Sequence, residues 1–358
     1  MTQKINVAVL GTGFSATVFH IPYILSLPNI YTLHTIYERR ATPDHSVGRE
    51  KYGHLGVKIA TTLEEVLDDP EVHLVVVTTK DPVHYELSKK SLFAGKHVVL
   101  EKPVTATSAE VRDLINTAKE NNVVFAPFHN RRFDGDFRTV RKLIQEGKLP
   151  GIIDFESRYD VRADWGASPE PGGTAGIAYG LGSHLIDQAI ALFGKPSSVT
   201  ALLDNGRGNG HPDVDDSFII HLRYSNNPVL VTLRSALHSV VSHQIRFIVR
   251  SLNQSFVKYG LDVQEPQVMF EGKSPLDPGF GEDPAEAYGE YAEVVDGKPK
   301  YTKVPTERGV YIEYYRNVGE TILGKTTLEV TGEHAELGIK IIELAHQSHK
   351  ENKTIVLE

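Results

Sequence analysis

Cysteine is absent from the 358 residues, which excludes disulfide bonds, thiolate metal sites and cysteine nucleophiles. Uninterrupted apolar runs of about 18 residues, the length of a membrane-spanning helix, are also absent. The 16 histidines show no zinc-ligand spacing, and 46 acidic residues outnumber 38 basic ones, a poor balance for binding nucleic acid. We therefore expect no metal, no membrane and no nucleic-acid partner. The start MTQKINVAVLGTG lacks the zones of a signal peptide, which favours a cytoplasmic protein.

An ordinary globular composition is present, with 40% hydrophobic and 23% charged residues, and the length suggests two domains of roughly 150 residues or more. Short apolar runs alternate with helical patterns through the first 127 residues, beginning with Ile5–Leu10, which predicts a doubly wound parallel sheet. Later segments that alternate apolar and polar residues, such as Ser217–Tyr224, predict an antiparallel sheet with one exposed face. Residues 260–309 are rich in glycine, proline and acidic residues and predict a long irregular loop.

A glycine-rich turn follows the first predicted strand directly. It has the form G-x-G-x-x-A and consists of Gly11, Thr12, Gly13, Phe14, Ser15 and Ala16. The first glycine permits the tight turn, the second lets the backbone approach a pyrophosphate, and the alanine allows close packing of helix on strand. The N-terminus of the following helix supplies amides to the phosphates. This context predicts a dinucleotide-binding domain over residues 1–127, with 128–358 left for substrate and oligomerisation.

The choice between NAD and NADP depends on three residues at the end of the second strand. Glu38 stands where an acid holds the ribose 2′-hydroxyl of NAD, and a carboxylate repels a 2′-phosphate. Arg39 and Arg40 favour NADP, because guanidinium groups suit a phosphate. We predict NADP, with NAD as the alternative.

A lysine follows the fourth predicted strand. The tripeptide Glu101-Lys102-Pro103 places Lys102 at the carboxyl end of a parallel strand, where such sheets bind ligands. An ammonium there could stabilise a developing alkoxide or donate to a carbonyl oxygen. Taken alone, the tripeptide is more typical of a lysine in a solvated loop.

Four segments together carry a family resemblance: the glycine-rich turn, Ala94–Pro103, His129–Asp134 and the pair Gly172-Gly173 with Gly182–Asp187. In these the chain resembles the glucose–fructose oxidoreductase/inositol dehydrogenase (Gfo/Idh/MocA) family. The resemblance implies an α/β fold, with an N-terminal Rossmann domain and a C-terminal α/β domain that has a large, open, mostly antiparallel sheet. It also implies an NAD(P)-dependent oxidoreductase that transfers hydride to or from a sugar, polyol or related alcohol or carbonyl, in a homo-oligomer, dimer or tetramer. Whether the C-terminal helix packs back on the first domain stays open.

The same resemblance assigns roles to individual residues. Lys102 matches the active-site lysine, Glu101 the acid near the nicotinamide ribose, and His184 the catalytic histidine, a group whose titration near neutrality suits general-base work. One position departs from the pattern: many members carry an aspartate four residues before this histidine, where this chain has Gly180. Asp187, one helical turn further on, is a candidate replacement.

Further candidates complete the predicted site. For the cofactor they are Thr78, Thr79, Lys80, His84 and Asn130, and for the substrate Asn130, Arg131, Arg158, Trp165 and Asp187 together with Lys102 and His184. For Arg158 an exposed salt-linked strand face is an equal alternative, and Arg132 is expected to pair with Asp134 or Asp136. The competing function is a non-catalytic, dinucleotide-binding regulator of the same fold, like the galactose repressor.

Overall fold

A computed structural model describes residues 4–357, and the chain divides into two compact units. The first comprises residues up to Asn130 together with 264–280 and 310–336, and the second comprises 131–263, 281–309 and 337 onward. The sequence-based boundary after residue 127 instead assigns both later segments of the first unit to the second domain. They belong with the first unit because their aromatic side chains enter its core. The buried Tyr314 hydroxyl, for example, donates to the carbonyl oxygens of Ala126 and Pro127.

The first unit contains a six-stranded parallel sheet in the order β3-β2-β1-β4-β5-β6. Its strands are β1 (Ile5–Leu10), β2 (Tyr31–Tyr37), β3 (Lys58–Ala60), β4 (Leu74–Val77), β5 (His97–Leu100) and β6 (Phe125–Pro127). All four residues of β4 are buried, as expected for a strand covered on both faces. The strand order reverses between β1 and β4, and ligands bind at such a switch point, beyond the carboxyl ends of the strands.

The second unit contains a nine-stranded sheet in the order β14-β13-β12-β11-β7-β10-β9-β8-β15. Its strands are β7 (Asp154–Arg158), β8 (Ser198–Asp204), β9 (Ser217–Arg223), β10 (Leu230–Ala236), β11 (Ile245–Arg250), β12 (Gln254–Tyr259), β13 (Gly289–Val295), β14 (Lys298–Val304) and β15 (Ile355–Val356). Strand β7 runs parallel to β10, and the other pairs are antiparallel. The two predicted sheet types are therefore confirmed.

The helices connect and cover these strands. They are α1 (Ile21–Leu25), α2 (Val47–Tyr52), α3 (Glu64–Leu67), α4 (His84–Phe93), α5 (Ser108–Glu120), α6 (Gly135–Gln145), α7 (Ser183–Phe193), α8 (Gln264–Phe270), α9 (Ile312–Ile322) and α10 (Gly332–Glu351). Helix α5 begins with a capping box, in which Thr107 and Glu110 each bond the other's backbone N–H. Within residues 4–357, no helix has the length and apolar character needed to cross a membrane.

The prediction of an irregular loop over residues 260–309 is wrong. Strands β13 and β14 form a hairpin there, and its turn residues Asp296 and Gly297 both have positive φ, 51° and 74°. Asp-Gly is a strong hairpin signal, but the strands beside it are largely exposed and so lack a clear hydrophobic alternation.

Candidate cofactor and active site

The glycine-rich turn lies at the carboxyl end of β1. Gly11 has φ 121°, and a Cβ placed on it would lie 3.1 Å from the Thr78 hydroxyl, so the position excludes a side chain. A Cβ on Gly13 would meet nothing within 4 Å, which leaves open space against its backbone. Ala16 is fully buried at the start of the helical turn that follows. This arrangement leaves room for a diphosphate to approach the backbone at Gly13.

A cleft of about 860 Å³ opens beside this turn, wholly within the first unit. It is lined by Gly11, Thr12, Gly13, Phe14, Tyr37, Glu38, Arg39, Arg40, Thr78, Thr79, Lys80, Val83, Glu86 and Leu87. Ten of these are predicted cofactor residues, and the sequence analysis missed Tyr37 and the three residues at the start of α4. The Thr79 hydroxyl is buried and has no hydrogen-bond partner within residues 4–357. The lining therefore fits an elongated, anionic dinucleotide.

Glu38 is bound to the N-terminus of α2. Its carboxylate accepts from the Ser46 hydroxyl at 2.7 Å and from the backbone N–H groups of Val47 and Gly48 at 3.0 Å each. Burial raises the pKa of Glu38, but these hydrogen bonds outweigh it and hold the pKa below its usual value. Arg39 and Arg40 are exposed at the cleft, so the acid is engaged while both guanidinium groups are accessible.

His84 connects two segments next to the cleft. Its ring is buried, with Nδ1 2.8 Å from the carbonyl oxygen of Pro103 and Nε2 3.0 Å from that of Thr79. The predicted role in cofactor binding is therefore indirect in this structure, since both ring nitrogens face backbone oxygens. The other predicted cofactor residue near this edge, Asn130, is 4% exposed at the end of the first unit.

Glu101 and Lys102 follow β5 directly. Glu101 is buried, and its carboxylate accepts hydrogen bonds from the Ser15 hydroxyl and from the backbone N–H of Lys102 at 2.8 Å. His20 Nε2 lies 2.9 Å from the same carboxylate. Lys102 is half-buried. The acid therefore ties the glycine-rich turn to the lysine segment.

In the second unit, His184 is the second residue of α7 and is 3% exposed. Two later residues hold this helix. Asp187 accepts two hydrogen bonds of 2.7 Å from the Arg132 guanidinium, and the Gln188 amide donates to the carbonyl oxygen of Arg131 at 2.7 Å. Arg246 donates to Gln188 Oε1 at 2.8 Å. The histidine therefore stands on a helix that buried polar contacts hold in place.

Two profiles of known families match the chain. One is described as an oxidoreductase family with an NAD-binding Rossmann fold, over residues 5–129, and the other as the C-terminal alpha/beta domain of that oxidoreductase family, over residues 141–357. The chain belongs to the Gfo/Idh/MocA oxidoreductase family. It is thus an enzyme of an NAD(P)-binding family, as its motifs predict.

Named members of the Gfo/Idh/MocA family align along nearly the whole chain. An uncharacterized oxidoreductase of Schizosaccharomyces pombe is 40% identical over 99% of both chains. The scyllo-inositol 2-dehydrogenase (NADP(+)) IolW of Bacillus subtilis is 38% identical over 99% of this chain and 97% of its own. Among solved structures, an oxidoreductase from Bacillus cereus has a TM-score of 0.89 at 33% identity, with 99% of both chains covered. These relatives are oxidoreductases, which favours the enzyme over the regulator.

The predicted substrate residues of this Gfo/Idh/MocA chain are mostly engaged within the protein. The Arg131 guanidinium donates to the Tyr159 hydroxyl at 2.8 Å and lies over that ring. The neighbouring Arg132, predicted to pair with Asp134 or Asp136, donates to the Asp187 carboxylate. Arg158 pairs with Glu156 on the same strand face, and both side chains are partly buried. Trp165 is 53% exposed.

Gly180 marks where this chain departs from many members of the family. A Cβ placed on it would meet nothing within 4 Å, and its φ is not in the left-handed range. The structure therefore leaves room for a side chain at the position of the missing aspartate. Within residues 4–357, no group of three or more histidine and acidic side chains could hold a metal ion.

Proposed function

We propose that this chain is an NADP-dependent dehydrogenase or reductase acting on a CH–OH group of a sugar or polyol. A cyclic polyol of the inositol type is the first substrate to test. The named B. subtilis relative, a scyllo-inositol 2-dehydrogenase (NADP(+)) at 38% identity, supports both the substrate class and the coenzyme. The absence of cysteine suits a reducing compartment, so the proposal takes the cytoplasm as the setting.

The contrast between Glu38 and its two neighbours carries the NADP proposal. The Glu38 carboxylate already accepts three hydrogen bonds at the start of α2. Arg39 and Arg40 are exposed in the cleft, and within residues 4–357 neither guanidinium makes an ion pair. A guanidinium donates two parallel hydrogen bonds to a phosphate, so Arg39 is our candidate for the ribose 2′-phosphate.

Residues of this chain supply the remaining chemistry. Backbone amides of the glycine-rich turn would hold the diphosphate, and a bound nicotinamide coenzyme supplies the hydride acceptor or donor. Lys102 donates a hydrogen bond to the substrate oxygen and stabilises its negative charge during oxidation. His184 takes the hydroxyl proton, or returns one during reduction.

Fluorescence titration with NADPH and NADH tests the cofactor assignment. We expect wild type to bind NADPH more tightly. Arg39→Ala should weaken NADPH binding by about 10- to 100-fold, the usual value of a hydrogen bond to a charged group, and leave NADH nearly unchanged. Lys325→Ala, an exposed basic residue after α9, serves as the control. An unchanged ratio of the two dissociation constants in Arg39→Ala would overturn the assignment of Arg39. A polyol and aldose screen with the preferred coenzyme then tests the substrate class.

The proposal includes a homo-oligomer formed through one face of the nine-stranded sheet. Leu202 pairs with Ile219, and Ile248 pairs with Val257, on a face that is only partly covered in the single chain. Leu202 is 55% exposed, and exposed apolar surface of this kind is typical of interfaces. Light scattering should give a dimer or tetramer for wild type and a smaller species for Ile248→Glu. A monomeric wild type would contradict this part of the proposal.

A further inference from the structure

The Glu101 carboxylate is the point where three segments of the first unit meet. Ser15 of the glycine-rich turn donates to Oε1, and the backbone N–H of Lys102 donates to Oε2 at 2.8 Å. His20, which ends the helical turn after the glycines, places Nε2 2.9 Å from Oε1. Glu101 is 6% exposed. One buried carboxylate therefore connects the turn at the cofactor cleft with the segment that carries Lys102.

His20 presents a hydrogen to this carboxylate in either protonation state. The ring is fully buried, and its Nδ1 lies 2.5 Å from the Tyr315 hydroxyl. Burial raises the pKa of Tyr315 well above its usual value, so this hydroxyl keeps its proton. With a neutral ring, the hydroxyl donates to Nδ1, which leaves the hydrogen on Nε2; with a charged ring, both nitrogens carry hydrogens. Nε2 therefore donates to Glu101 in both cases.

The charge of Glu101 depends on these neighbours. Burial by itself raises the pKa of Glu101, but the hydrogen bond and charge of His20, followed by the charge of Lys102 and the Ser15 hydroxyl, lower it to about 2. The buried hydroxyls of Tyr314 and Tyr315 also lie near this carboxylate, and the Tyr31 ring packs edge-on against Tyr315. The hydrogen bonds from His20 and Ser15 and the charge of Lys102 therefore favour the ionised form of this buried carboxylate.

We propose that His20 is a positioning residue, which holds the Glu101 carboxylate between the glycine-rich turn and Lys102, so that affinity for NADP(H) depends on it. The inference rests on the proposed cofactor binding. Removal of the Nε2–H donor leaves a buried carboxylate with less compensation, so it takes up a proton at a higher pH. A protonated carboxyl is a weaker acceptor for the hydrogen bonds from Ser15 and from the Lys102 backbone. The contacts that connect the glycine-rich turn with the Lys102 segment therefore weaken.

The test is the dissociation constant of NADPH between pH 5 and 9 for wild type, His20→Leu and His20→Gln. Leucine removes the donor, whereas glutamine retains an N–H of similar reach. We expect His20→Leu to bind about 10- to 100-fold more weakly than wild type at pH 6 and to recover as the pH rises. His20→Gln should restore most of the affinity. Equal affinities for wild type and His20→Leu across this range would overturn the inference.

A second comparison separates the carboxylate from a general packing defect. Glu101→Gln has no ionisable group at this position, so the pH dependence caused by His20→Leu should disappear in the double mutant His20→Leu/Glu101→Gln. A purely structural role of the histidine ring would leave the same pH dependence in both backgrounds. Persistence of that dependence in the double mutant therefore contradicts the inference.

Thermal unfolding of the cofactor-free protein gives a measurement that does not depend on the proposed function. As the pH rises from 5 to 8, the Tm of His20→Leu should fall below that of His20→Leu/Glu101→Gln. The reason is that the buried Glu101 carboxyl then ionises without its donor. A constant Tm difference rejects the link between His20 and Glu101. If wild type binds neither NADPH nor NADH, the proposed function fails, while this measurement still decides on the link.

Discussion

Arginine has different surroundings in the two units of this molecule. In the first unit, Arg39 and Arg40 are exposed in the cleft and, within residues 4–357, form no ion pair. In the second unit, Arg132 and Arg246 are buried and donate to the buried carboxylates of Asp187 and Asp136. The Arg207 side chain donates to a third buried carboxylate, that of Asp216. A buried ion pair specifies structure, because removing one partner leaves a charge without compensation. An exposed guanidinium is available for an anionic ligand. Burial and pairing, rather than residue type, therefore distinguish the structural arginines from those that are available to a ligand.

The largest expected effects are on turnover, from one residue in each unit. Lys102→Ala and His184→Ala should each lower kcat by about 10²- to 10⁴-fold, because each removes a group that stabilises charge or moves a proton. Both rates are measured with the best substrate of the polyol screen. His184→Ala should keep the wild-type affinity for NADPH, because His184 is not among the residues that line the cofactor cleft. Near-normal turnover in both variants would refute the catalytic assignment.

The next effect sharpens the comparison of arginines directly. Arg132→Ala should lower the free energy of unfolding by about 3–5 kcal/mol, because it leaves the Asp187 carboxylate buried without its bidentate partner. Arg39→Ala, at the cleft, should change it by no more than about 0.5 kcal/mol. Chemical denaturation of both variants measures the difference.

A double mutant serves as the control for this pair. Arg132→Met/Asp187→Leu removes both charges and should recover much of the stability that Arg132→Ala loses, since apolar residues can replace a buried ion pair. An equal decrease in the free energy of unfolding for Arg39→Ala and Arg132→Ala would contradict the distinction between the two kinds of arginine.

The fold could be predicted where burial leaves a clear pattern in the sequence. Strands β1 and β4 are covered on both faces, so they appear as short apolar runs. Strand β3 has three residues, one of them an exposed lysine, and its pairing with β2 comes from tertiary context that no local pattern contains. The exposed hairpin of β13 and β14 was missed for a related reason, because neither strand covers a core along its full length.

The site could be predicted where its residues are close in sequence. The residues of the glycine-rich turn are consecutive in sequence, and so are the three residues after β2. The structure brings these two short segments into one cleft. The contact of His20 with Glu101 joins residues 81 positions apart, and no spacing rule reveals it. The bond of Arg132 to Asp187 was not predicted for the same reason, since proximity in sequence favours Asp134 whereas Asp187 lies on α7.

A smaller effect comes from a buried acid of the second unit that is only partly compensated. Asp215 accepts from the Ala178 backbone N–H at 2.7 Å through Oδ2, while Oδ1 has no hydrogen-bond partner within residues 4–357. Burial raises the pKa of Asp215 to about 6. Because this folded-state pKa lies above the unfolded value of 3.8, the stability from this group is full at low pH and is lost as the pH rises through about 6.

Asp215→Asn removes the ionisable carboxyl and tests the expected direction of this pH dependence of stability. Its Tm should match wild type below pH 4, exceed it increasingly between about pH 4 and 6, and keep that excess at higher pH, by the equivalent of roughly 2–3 kcal/mol at most. Asp216→Asn is the contrast. Burial also raises the pKa of Asp216, but the Arg207 side chain and the backbone N–H groups of Gly206 and Arg207 together outweigh it and lower the pKa overall. This variant should therefore be destabilised at neutral pH. A Tm difference for Asp215→Asn that does not vary with pH contradicts the prediction.

The smallest effect concerns Gly180, where the chain departs from many of its relatives. Open space at the glycine Cβ predicts that Gly180→Asp changes the free energy of unfolding by less than about 1 kcal/mol. An aspartate four residues before His184 shares its side of the helical turn and favours a protonated imidazole. The rise of kcat with pH during alcohol oxidation should therefore move to higher pH, by up to about one unit. Gly180→Asn occupies the same space without charge and should leave the pH profile of kcat unchanged. An equal shift of the profile in both variants would show that side-chain shape, and not charge, causes the change.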